Sequence, residues 1–434
     1  MTEQSEVAAP EFAALDSGVR RTDTGIALRA VTAADTTPTQ DVLGSDDRAA
    51  LDALLDAATV PNTVRTYRAP VERFDAWCAE RGYQARPADP EVVAAFLAFH
   101  EKLRDEDGYT YPLSTLTVWT AAIRRDHLDG GHPDPTEGPL VAKAVMAAKR
   151  KRTKRPGRPT ASADPLLADD IRRLVDSIAA HAAEDDGWPA KVAACRDTAL
   201  ILSGFASARR RSEIAGLQFG DLSIVRDPAD TDRSWIQLRL RGTKTSSTAM
   251  EYAYLHCAED PRYCPRCALM DWLIVVTVHD NSVSSAATSG DTNQQRRAAR
   301  RAMIDLMNQT HDRDPHQHRC DRNLPFHRRS TALIWRPLTK TTRYLPSDTG
   351  HPFADRNIAR ILKYRCQQAD FDPERIERIS GHSLRSGFVT QLRGQEVSNA
   401  DIMRQTGHKR TDTLIRHYDK TPGFRNNGVD DLPL

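Results

Sequence analysis

The sequence lacks the features that mark membrane, secreted or disulfide-stabilised proteins. Its most apolar stretch, Trp272 to Val278, is far shorter than the roughly 20 residues that a membrane-spanning helix needs. The first residues include Glu3 and Glu6 and form no apolar segment, so we expect no signal peptide. Seven cysteines among 434 residues, without an export signal, predict reduced thiols. These absences predict a cytoplasmic protein without a membrane partner.

The chain also carries little net charge. Lys and Arg number 61 and Asp and Glu number 59, which gives +2 at pH 7. Total charge therefore does not indicate a nucleic-acid partner, and the distribution of charge along the chain matters instead. A hydrophobic content of 39% is typical of a soluble globular protein, and 434 residues predict two or three domains. The frequent alanine and arginine suggest a GC-rich bacterial genome.

The N-terminal part of the chain divides by composition into two segments. Residues 1–45 are rich in Ala, Thr, Asp and Ser with little apolar periodicity, which predicts a disordered tail. Residues 46–150 carry apolar side chains at helical spacing, for example Tyr67, Val71 and Phe74. We therefore expect a compact helical domain over 46–150.

A basic run, KRKRTKRPGR, follows that domain and begins at Lys149. Its charges, proline and glycine cannot pack a core, so residues 149–164 are predicted to form a linker. The run is either a merely solvated linker or a strap across the phosphates of a nucleic acid. In the second case, each cation adds a salt-sensitive increment to the binding affinity. The cations expected to contact phosphates are Lys149, Arg150, Lys151, Arg152, Lys154 and Arg155 in the run, and Arg65 and Arg68 in the helical domain.

Residues 165–422 are predicted to form a second domain, followed by a tail over 423–434. Ile236, Leu238 and Leu240 alternate with polar residues, which is the period of a half-buried strand.

A turn over 242–247 and a returning strand over 250–255 complete a predicted hairpin. Residues 280–300 contain few apolar side chains and predict a mobile insertion. The fold class expected for the chain is mainly α with a small antiparallel β-sheet.

The stretch from Gly381 to Tyr418 gathers residues suited to phosphate chemistry. His382 and Arg385 lie three residues apart, on one face of a predicted helix, and His408 follows a glycine that suits a helix C-cap. Arginine suits bidentate binding of a phosphate, histidine moves protons near neutral pH, and tyrosine attacks covalently. No paired carboxylates accompany them, so the set points to a phosphodiester.

These motifs (H-x-L-R, then T-G-H, then a tyrosine near the end) resemble the tyrosine recombinase, or phage integrase, family. An upstream Arg two residues before Ser-Glu-Ile resembles the first arginine motif of that family, which selects Arg210 and leaves Glu213 as a structural partner. In the family a lysine on the hairpin reaches the active site, and Lys244 matches it. The resemblance implies a helical core-binding (SAM-like) N-terminal domain and a C-terminal catalytic domain.

The resemblance also implies a function: site-specific DNA recombination in integration, excision or transposition, through a 3′-phosphotyrosyl intermediate. The resemblance implies that Arg210 and Arg385 clamp the phosphate and that Tyr418 attacks it. It implies that Lys244 protonates the leaving oxygen and that His382 assists proton transfer at the tyrosine. His408 is implied to donate a hydrogen bond to the phosphate. No cofactor is implied. The implied partners are double-stranded DNA with a specific site, a Holliday junction and a homotetramer in the bacterial nucleoid; an accessory DNA-bending or directionality protein stays open.

The spacing of the tyrosine departs from the family pattern. In most relatives the tyrosine lies nine residues after the histidine of T-G-H, which here is the position of His417, so Tyr418 is one residue late. One residue rotates a helical side chain by about 100°. Two other functions stay open: a catalytically impaired architectural DNA-binding protein, and an enzyme like a type IB topoisomerase.

Two groupings of His and Cys could suggest metal. The first follows the predicted hairpin and consists of His256, Cys257, Cys264 and Cys267. The second lies in a polar region and consists of His311, His316, His318, Cys320 and His327. Considered separately, the first is explained by a Cys-Pro helix start and the second by a solvated loop, so no metal site is predicted.

Overall fold

A computed structural model divides the chain into two compact units, Met1–Arg158 and Pro159–Leu434. It describes residues 44–58, 61–106, 108–154, 163–185, 187–230, 233–241, 250–287, 291–311, 314, 316–338 and 353–415. The predicted tails therefore lie outside the described residues, apart from Gly44 and Ser45, and so do Arg155, Lys244 and Tyr418. Among the described helices, none combines the length and apolar character needed to cross a bilayer.

The first unit is helical, and an aromatic core joins the second to the fifth of its described helices. They are α1 (Ser45–Ala58), α2 (Pro61–Arg81), α3 (Pro90–Lys102), α4 (Leu113–Asp129) and α5 (Pro139–Lys154), with a short antiparallel pair, β1 (Arg104–Asp105) and β2 (Gly108–Tyr109), between α3 and α4. Phe74, Trp77, Phe96 and Trp119 are all buried. The rings of Phe74 and Phe96 meet edge to face with centroids 5.2 Å apart, so each aromatic side chain adds specific geometry to its buried area.

The predicted linker over 149–164 is wrong in its first part, because α5 continues through the basic run to Lys154. Lysine and arginine are good helix formers, and the run meets its first helix breaker only at Pro156. Lys151 pairs with Glu101, Nζ to Oε2 at 2.9 Å, and Arg152 donates from Nη1 to the Tyr111 carbonyl at 2.8 Å. These two cations hold α5 against its own unit.

The second unit combines helices with a three-stranded antiparallel sheet, which confirms the predicted fold class. The helices are α6 (Ala168–Glu184), α7 (Trp188–Ser207), α8 (Arg211–Ala215), α9 (Pro265–Ala286), α10 (Thr292–His311), α11 (Arg356–Gln368), α12 (Pro373–Arg378), α13 (Ser383–Gly394), α14 (Asn399–Thr406) and α15 (Thr411–Thr413). The strands are β3 (Leu222–Arg226), β4 (Ser234–Leu240) and β5 (Glu251–Leu255), in that order across the sheet.

The sheet follows the alternation seen in the sequence. Ile236, Leu238 and Leu240 are buried on one face of β4, and Leu238 lies opposite Ala253 of β5, so the predicted pair of strands is confirmed. Strand β3 was not predicted. Its adjacent residues Ile224 and Val225 interrupt the alternation that would have revealed it.

The predicted mobile insertion over 280–300 is wrong for most of its described residues, because they belong to the ends of two helices. Helix α9 continues to Ala286 and α10 begins at Thr292. Asp280 is buried and accepts hydrogen bonds from Arg336 Nη2 at 2.9 Å and from the His279 ring at 2.9 Å. The apolar stripe of α10 starts only near residue 299, so the polar first turns of that helix resemble a loop in the sequence.

We predict that Asp280→Asn destabilises the protein by about 3 kcal/mol at pH 7, because it removes the anion that faces the buried Arg336 guanidinium. Burial raises the pKa of Asp280, but the His279 hydrogen bond and the Arg336 charge outweigh burial and lower it to about 2. The carboxylate therefore stabilises the fold above the unfolded-state pKa of about 4, and this contribution is lost as pH falls from about 4 to about 2. Urea denaturation across pH measures the difference.

Glu72→Gln provides the control, since Glu72 pairs with Arg68 on an exposed surface, where such pairs contribute about 0–1 kcal/mol. Equal unfolding free energies for Asp280→Asn and wild type at pH 7 would contradict the prediction.

Candidate active site

The arginine of the H-x-L-R motif is buried in the first turn of α13. Arg385 is 1% exposed, and its Nη1 donates to the carbonyl oxygens of Ala208 at 2.7 Å and Thr406 at 2.6 Å. Its Nη2 donates to Nε2 of His408 at 2.7 Å. One guanidinium thus joins the C-terminal end of α7 to the C-terminal end of α14.

Hydrogen bonding fixes His408 as a neutral ring. The Thr406 hydroxyl donates to the Ile402 carbonyl at 2.8 Å, so its oxygen accepts from His408 Nδ1 at 2.8 Å. Arginine only donates, so His408 Nε2 must accept from Arg385. Burial, followed by the charges of Arg385 and Arg210, lowers the pKa of His408 to about 3. In this arrangement Nε2 does not donate, whereas the predicted phosphate hydrogen bond requires a donor.

Two of the three consecutive arginines at 209–211 have structural partners outside the motif. Arg209, with a side chain 2% exposed, donates from Nη1 to Glu251 Oε2 at 2.7 Å, and burial lowers its pKa. Arg211 pairs with Asp355, Nε to Oδ2 at 3.0 Å. Arg209 therefore ties the end of α7 to β5, and Arg211 ties α8 to the start of α11.

Arg210 is the member of the three that lies beside both histidines. Its Nη1 donates to Glu213 Oε1 at 2.7 Å and its backbone N–H donates to Glu213 Oε2 at 3.1 Å, so the predicted structural role of Glu213 is confirmed. The side chain of Arg210 is 20% exposed, and its charge lowers the pKa of both His382 and His408.

His382 occupies the N-cap position of α13, one residue before Ser383. The ring reaches solvent, yet burial by the surrounding protein lowers its pKa, as do the charges of Arg211 and Arg385. The Ser380 hydroxyl oxygen accepts the His382 backbone N–H at 3.1 Å and so forms the turn that precedes the helix. The neutral ring is suited to accept a proton.

Gly407 allows α14 to approach the buried arginine. Its φ of 70° gives the left-handed C-cap that the sequence predicts. A Cβ at this position would lie 2.1 Å from Arg209 Nη1 and 2.7 Å from Glu251 Oε2. The glycine of T-G-H is therefore required for contact between three elements, namely α14, β5 and the end of α7.

A second glycine, Gly387, brings α13 against the first described segment of its unit. A Cβ there would lie 1.8 Å from the Leu166 carbonyl oxygen. The backbone N–H of Leu166 donates to the Ser383 carbonyl at 3.1 Å. The chain around Leu166 is thus packed directly on the helix that carries Arg385.

The described chain ends three residues before the predicted nucleophile. Leu414 is buried against Val389 and Ile402, and the backbone at Leu414 and Ile415 forms a π-helical turn. Tyr418 and Lys244 lie outside the described residues. The structure brings together the other four predicted catalytic residues, which are Arg210, His382, Arg385 and His408.

The sequence analysis missed the role of Arg209 and Glu251. No local pattern distinguished Arg209 from its two neighbours or identified its acidic partner 42 residues away.

Comparison with known proteins finds a relative over most of the chain. Over 379 residues the chain is 23% identical to a curated protein of Selenomonas ruminantium described as "Integrase/recombinase xerD homolog", covering 87% of this chain and 86% of that protein. This likeness supports the resemblance to the tyrosine recombinase family that the sequence motifs carry. No protein-family model matches the chain.

Solved structures of recombinases align with this chain at low scores. A XerH site-specific recombinase in a post-cleavage complex with palindromic difH substrate is 13% identical, with a TM-score of 0.48, over 85% of this chain and 80% of that one. The Tn1549 transposon integrase in complex with circular intermediate DNA is 11% identical, with a TM-score of 0.34, over 80% and 85% of the two chains.

We predict that Gly407→Ala disrupts the arginine cluster, because the new Cβ meets Arg209 and Glu251 and the left-handed backbone disfavours alanine by roughly 1–2 kcal/mol before any clash. The melting temperature should fall by at least a few degrees. Gly394→Ala is the matched control, since a Cβ there meets nothing within 4 Å. Equal melting temperatures for the two variants would contradict this account.

Proposed function

We propose that this protein is a site-specific DNA strand transferase that cuts and rejoins DNA through a covalent bond to Tyr418. The observation that carries the proposal is the buried guanidinium of Arg385, held beside Arg210 and two histidines. The name of its Selenomonas relative, an integrase or recombinase, supports the same activity.

The two arginines suit the electrostatic demand of a phosphodiester. Negative charge grows on the non-bridging oxygens as a nucleophile attacks, and preorganised donors aimed at that charge are worth several kcal/mol. Arg385 is already desolvated and its Nη1 is held by two backbone carbonyls, so an arriving phosphate needs to replace only His408 at Nη2. Arg210 is the more accessible partner of this clamp.

Phosphate binding would change the role of His408. An anionic oxygen is a better acceptor for Arg385 Nη2 than neutral His408 Nε2. The nearby anion also raises the pKa of the histidine and favours the protonated ring. His408 would then donate from Nε2 to the phosphate, as the resemblance to the family implies.

The proposed reaction exchanges one phosphoester bond for another and needs no added energy source. The Tyr418 oxygen loses its proton, assisted by His382, and forms a bond to phosphorus. The bond from phosphorus to the 5′-oxygen breaks, and that oxygen takes a proton from Lys244. The 3′-phosphotyrosyl bond keeps the energy of the phosphodiester, so attack by the 5′-hydroxyl of another strand rejoins the DNA and frees the tyrosine.

The π-helical turn before the tyrosine bears on its unusual spacing. A π-helical turn holds one residue more than an α-helical turn and so absorbs a single insertion. The turn at Leu414 and Ile415 lies between His408 and Tyr418, where the chain is one residue longer than in most relatives. We infer that this turn accommodates the additional residue between His408 and Tyr418.

The basic residues of the first unit would contact the DNA backbone. Lys149 and Arg150 are exposed on α5, and Arg65 is exposed on α2. Lys151 is paired with Glu101, and Arg68 with Glu72, so DNA phosphates would have to replace these partners. A specific duplex site, a Holliday junction and a homotetramer are the expected assembly.

We predict a covalent protein–DNA adduct that depends on Tyr418. A nicked suicide substrate made from DNA flanking the gene should trap the adduct on a denaturing gel, because the cleaved strand diffuses away before rejoining. Tyr418→Phe lacks the nucleophile and should give no adduct while retaining DNA binding.

The alternatives have different signatures in this assay. Site-specific binding without any wild-type adduct would indicate an architectural protein. Relaxation of supercoiled DNA that carries no recombination site would indicate a topoisomerase.

A second prediction concerns the position of the nucleophile. In the double variant His417→Tyr/Tyr418→Phe the phenol moves one residue earlier, to the usual family spacing. If the π-helical turn compensates for the extra residue, the moved phenol points away from the phosphate, and adduct formation falls at least 100-fold. Adduct formation at the wild-type level by this double variant would show that the turn does not set the direction of the tyrosine.

A further inference from the structure

Five metal-ligating side chains converge at one place in the second unit, away from the arginine cluster. They come from the two groupings that the sequence analysis considers separately, and they are Cys257, Cys264, Cys267, His318 and Cys320. Cys257 follows β5, and Cys264 is the N-cap residue of α9. His318 and Cys320 lie in the connection after α10, more than 50 residues further along.

We propose that Cys257, Cys264, His318 and Cys320 bind one structural Zn²⁺ ion. Their ligand atoms all lie within 4.8 Å of one another. The proposal is independent of the recombinase activity and corrects the sequence-based expectation of no metal site.

Four of the six distances between the donors are close to those of a tetrahedral zinc site. With Zn–S near 2.3 Å and Zn–N near 2.0 Å, tetrahedral geometry separates two sulfurs by about 3.8 Å and a sulfur from a nitrogen by about 3.5 Å. Cys264 Sγ is 3.9 Å from Cys257 Sγ and 3.9 Å from Cys320 Sγ. His318 Nδ1 is 3.4 Å from Cys257 Sγ and 3.7 Å from Cys320 Sγ.

Neither disulfide bonding nor hydrophobic packing accounts for this arrangement. The shortest of the sulfur–sulfur distances, 3.2 Å between Cys257 and Cys320, is far longer than a disulfide bond of about 2.05 Å. Cys264, Cys267 and Cys320 are buried, but Ala258 is the apolar residue that packs against them. Three thiols and an imidazole favour zinc over hard cations, which prefer oxygen ligands.

Neighbouring groups orient the donors from outside the tetrahedron. Cys267 Sγ accepts the backbone N–H of Arg319 at 3.3 Å and lies 3.5 Å from His318 Nδ1. His318 Nε2 lies 3.2 Å from the Glu259 carbonyl, which fixes the tautomer that leaves Nδ1 available to a metal. The Arg266 side chain donates to the Cys320 carbonyl and holds that ligand at the site.

The ion would anchor a long connection that supports the active-site framework. Between His316 and Leu338 the described chain forms no helix or extended strand, only an isolated bridge from Leu333 to Gln218. Within this connection, the Ser330 carbonyl oxygen accepts a hydrogen bond from the Gly220 N–H at 2.7 Å. Gly220 lies shortly after α8, the helix that follows Arg210. Ligands that lie far apart in the sequence hold such a segment in place when they share one ion, because the free energy of metal binding adds to the free energy of folding.

Metal analysis of the full-length wild-type protein tests the proposal. Protein purified under reducing conditions should contain about one zinc per chain. Cys264→Ser and Cys320→Ser should each lose most of it, whereas Cys195→Ser, which alters a cysteine outside the cluster, should retain it. Cys267→Ser should also retain zinc, because Cys267 is not among the four ligands.

Cobalt substitution and chelation keep the test informative if a serine variant fails to fold. Co²⁺ bound to wild type should show thiolate charge-transfer and tetrahedral d–d absorption. Removal of zinc by a chelator should lower the melting temperature by roughly 10 °C and be reversed by added Zn²⁺.

Three results would overturn the proposal. Wild-type protein with under about 0.1 zinc per chain, and no change of melting temperature on adding Zn²⁺, would exclude the site. A disulfide among these cysteines in the reduced, active protein would do the same. Loss of zinc from Cys267→Ser but not from Cys257→Ser would overturn the assignment of Cys257 as a ligand.

Discussion

The second unit is organised around a positive charge that has been removed from water. Desolvating a guanidinium costs several kcal/mol unless acceptors surround it. For Arg385 those acceptors are the Ala208 and Thr406 carbonyls and the His408 ring, supplied by the ends of two other helices. Because helix C-termini carry partial negative charge, α7 and α14 both stabilise the cation that they surround. Their positions are therefore set by the requirements of one side chain.

This constraint explains why structural and chemical residues alternate along the motifs. Arg209 and Gly407 serve contact between elements, whereas Arg210 and His408, their immediate neighbours, face the centre of the site. Changing a supporting residue therefore displaces the residue beside it. The unusual left-handed backbone of Ala208, with φ of 50°, belongs to the same arrangement, since it directs that carbonyl toward Arg385.

Local sequence patterns predicted what local forces control, and failed where the controlling contacts are distant. The alternation in β4 and the glycine C-cap of α14 arise within a few residues, so the structure confirms both. The last turns of α9, from Asp280 onward, are stabilised instead by Asp280 facing Arg336, 56 residues away, and the sequence alone resembles a loop there. The metal-ligating cluster was missed for the same reason. Each half is weak by itself, and only the fold joins Cys264 to Cys320.

The contact of Gly387 with Leu166 has a mechanical consequence. Leu166 lies near the start of the described part of the second unit, and its backbone N–H is hydrogen-bonded to Ser383 at the start of α13. A pull on the polypeptide at Leu166 acts directly on α13, since only a hydrogen atom separates the Gly387 backbone from the Leu166 carbonyl. Force applied along the chain is thereby delivered to the helix that carries the phosphate-binding arginine.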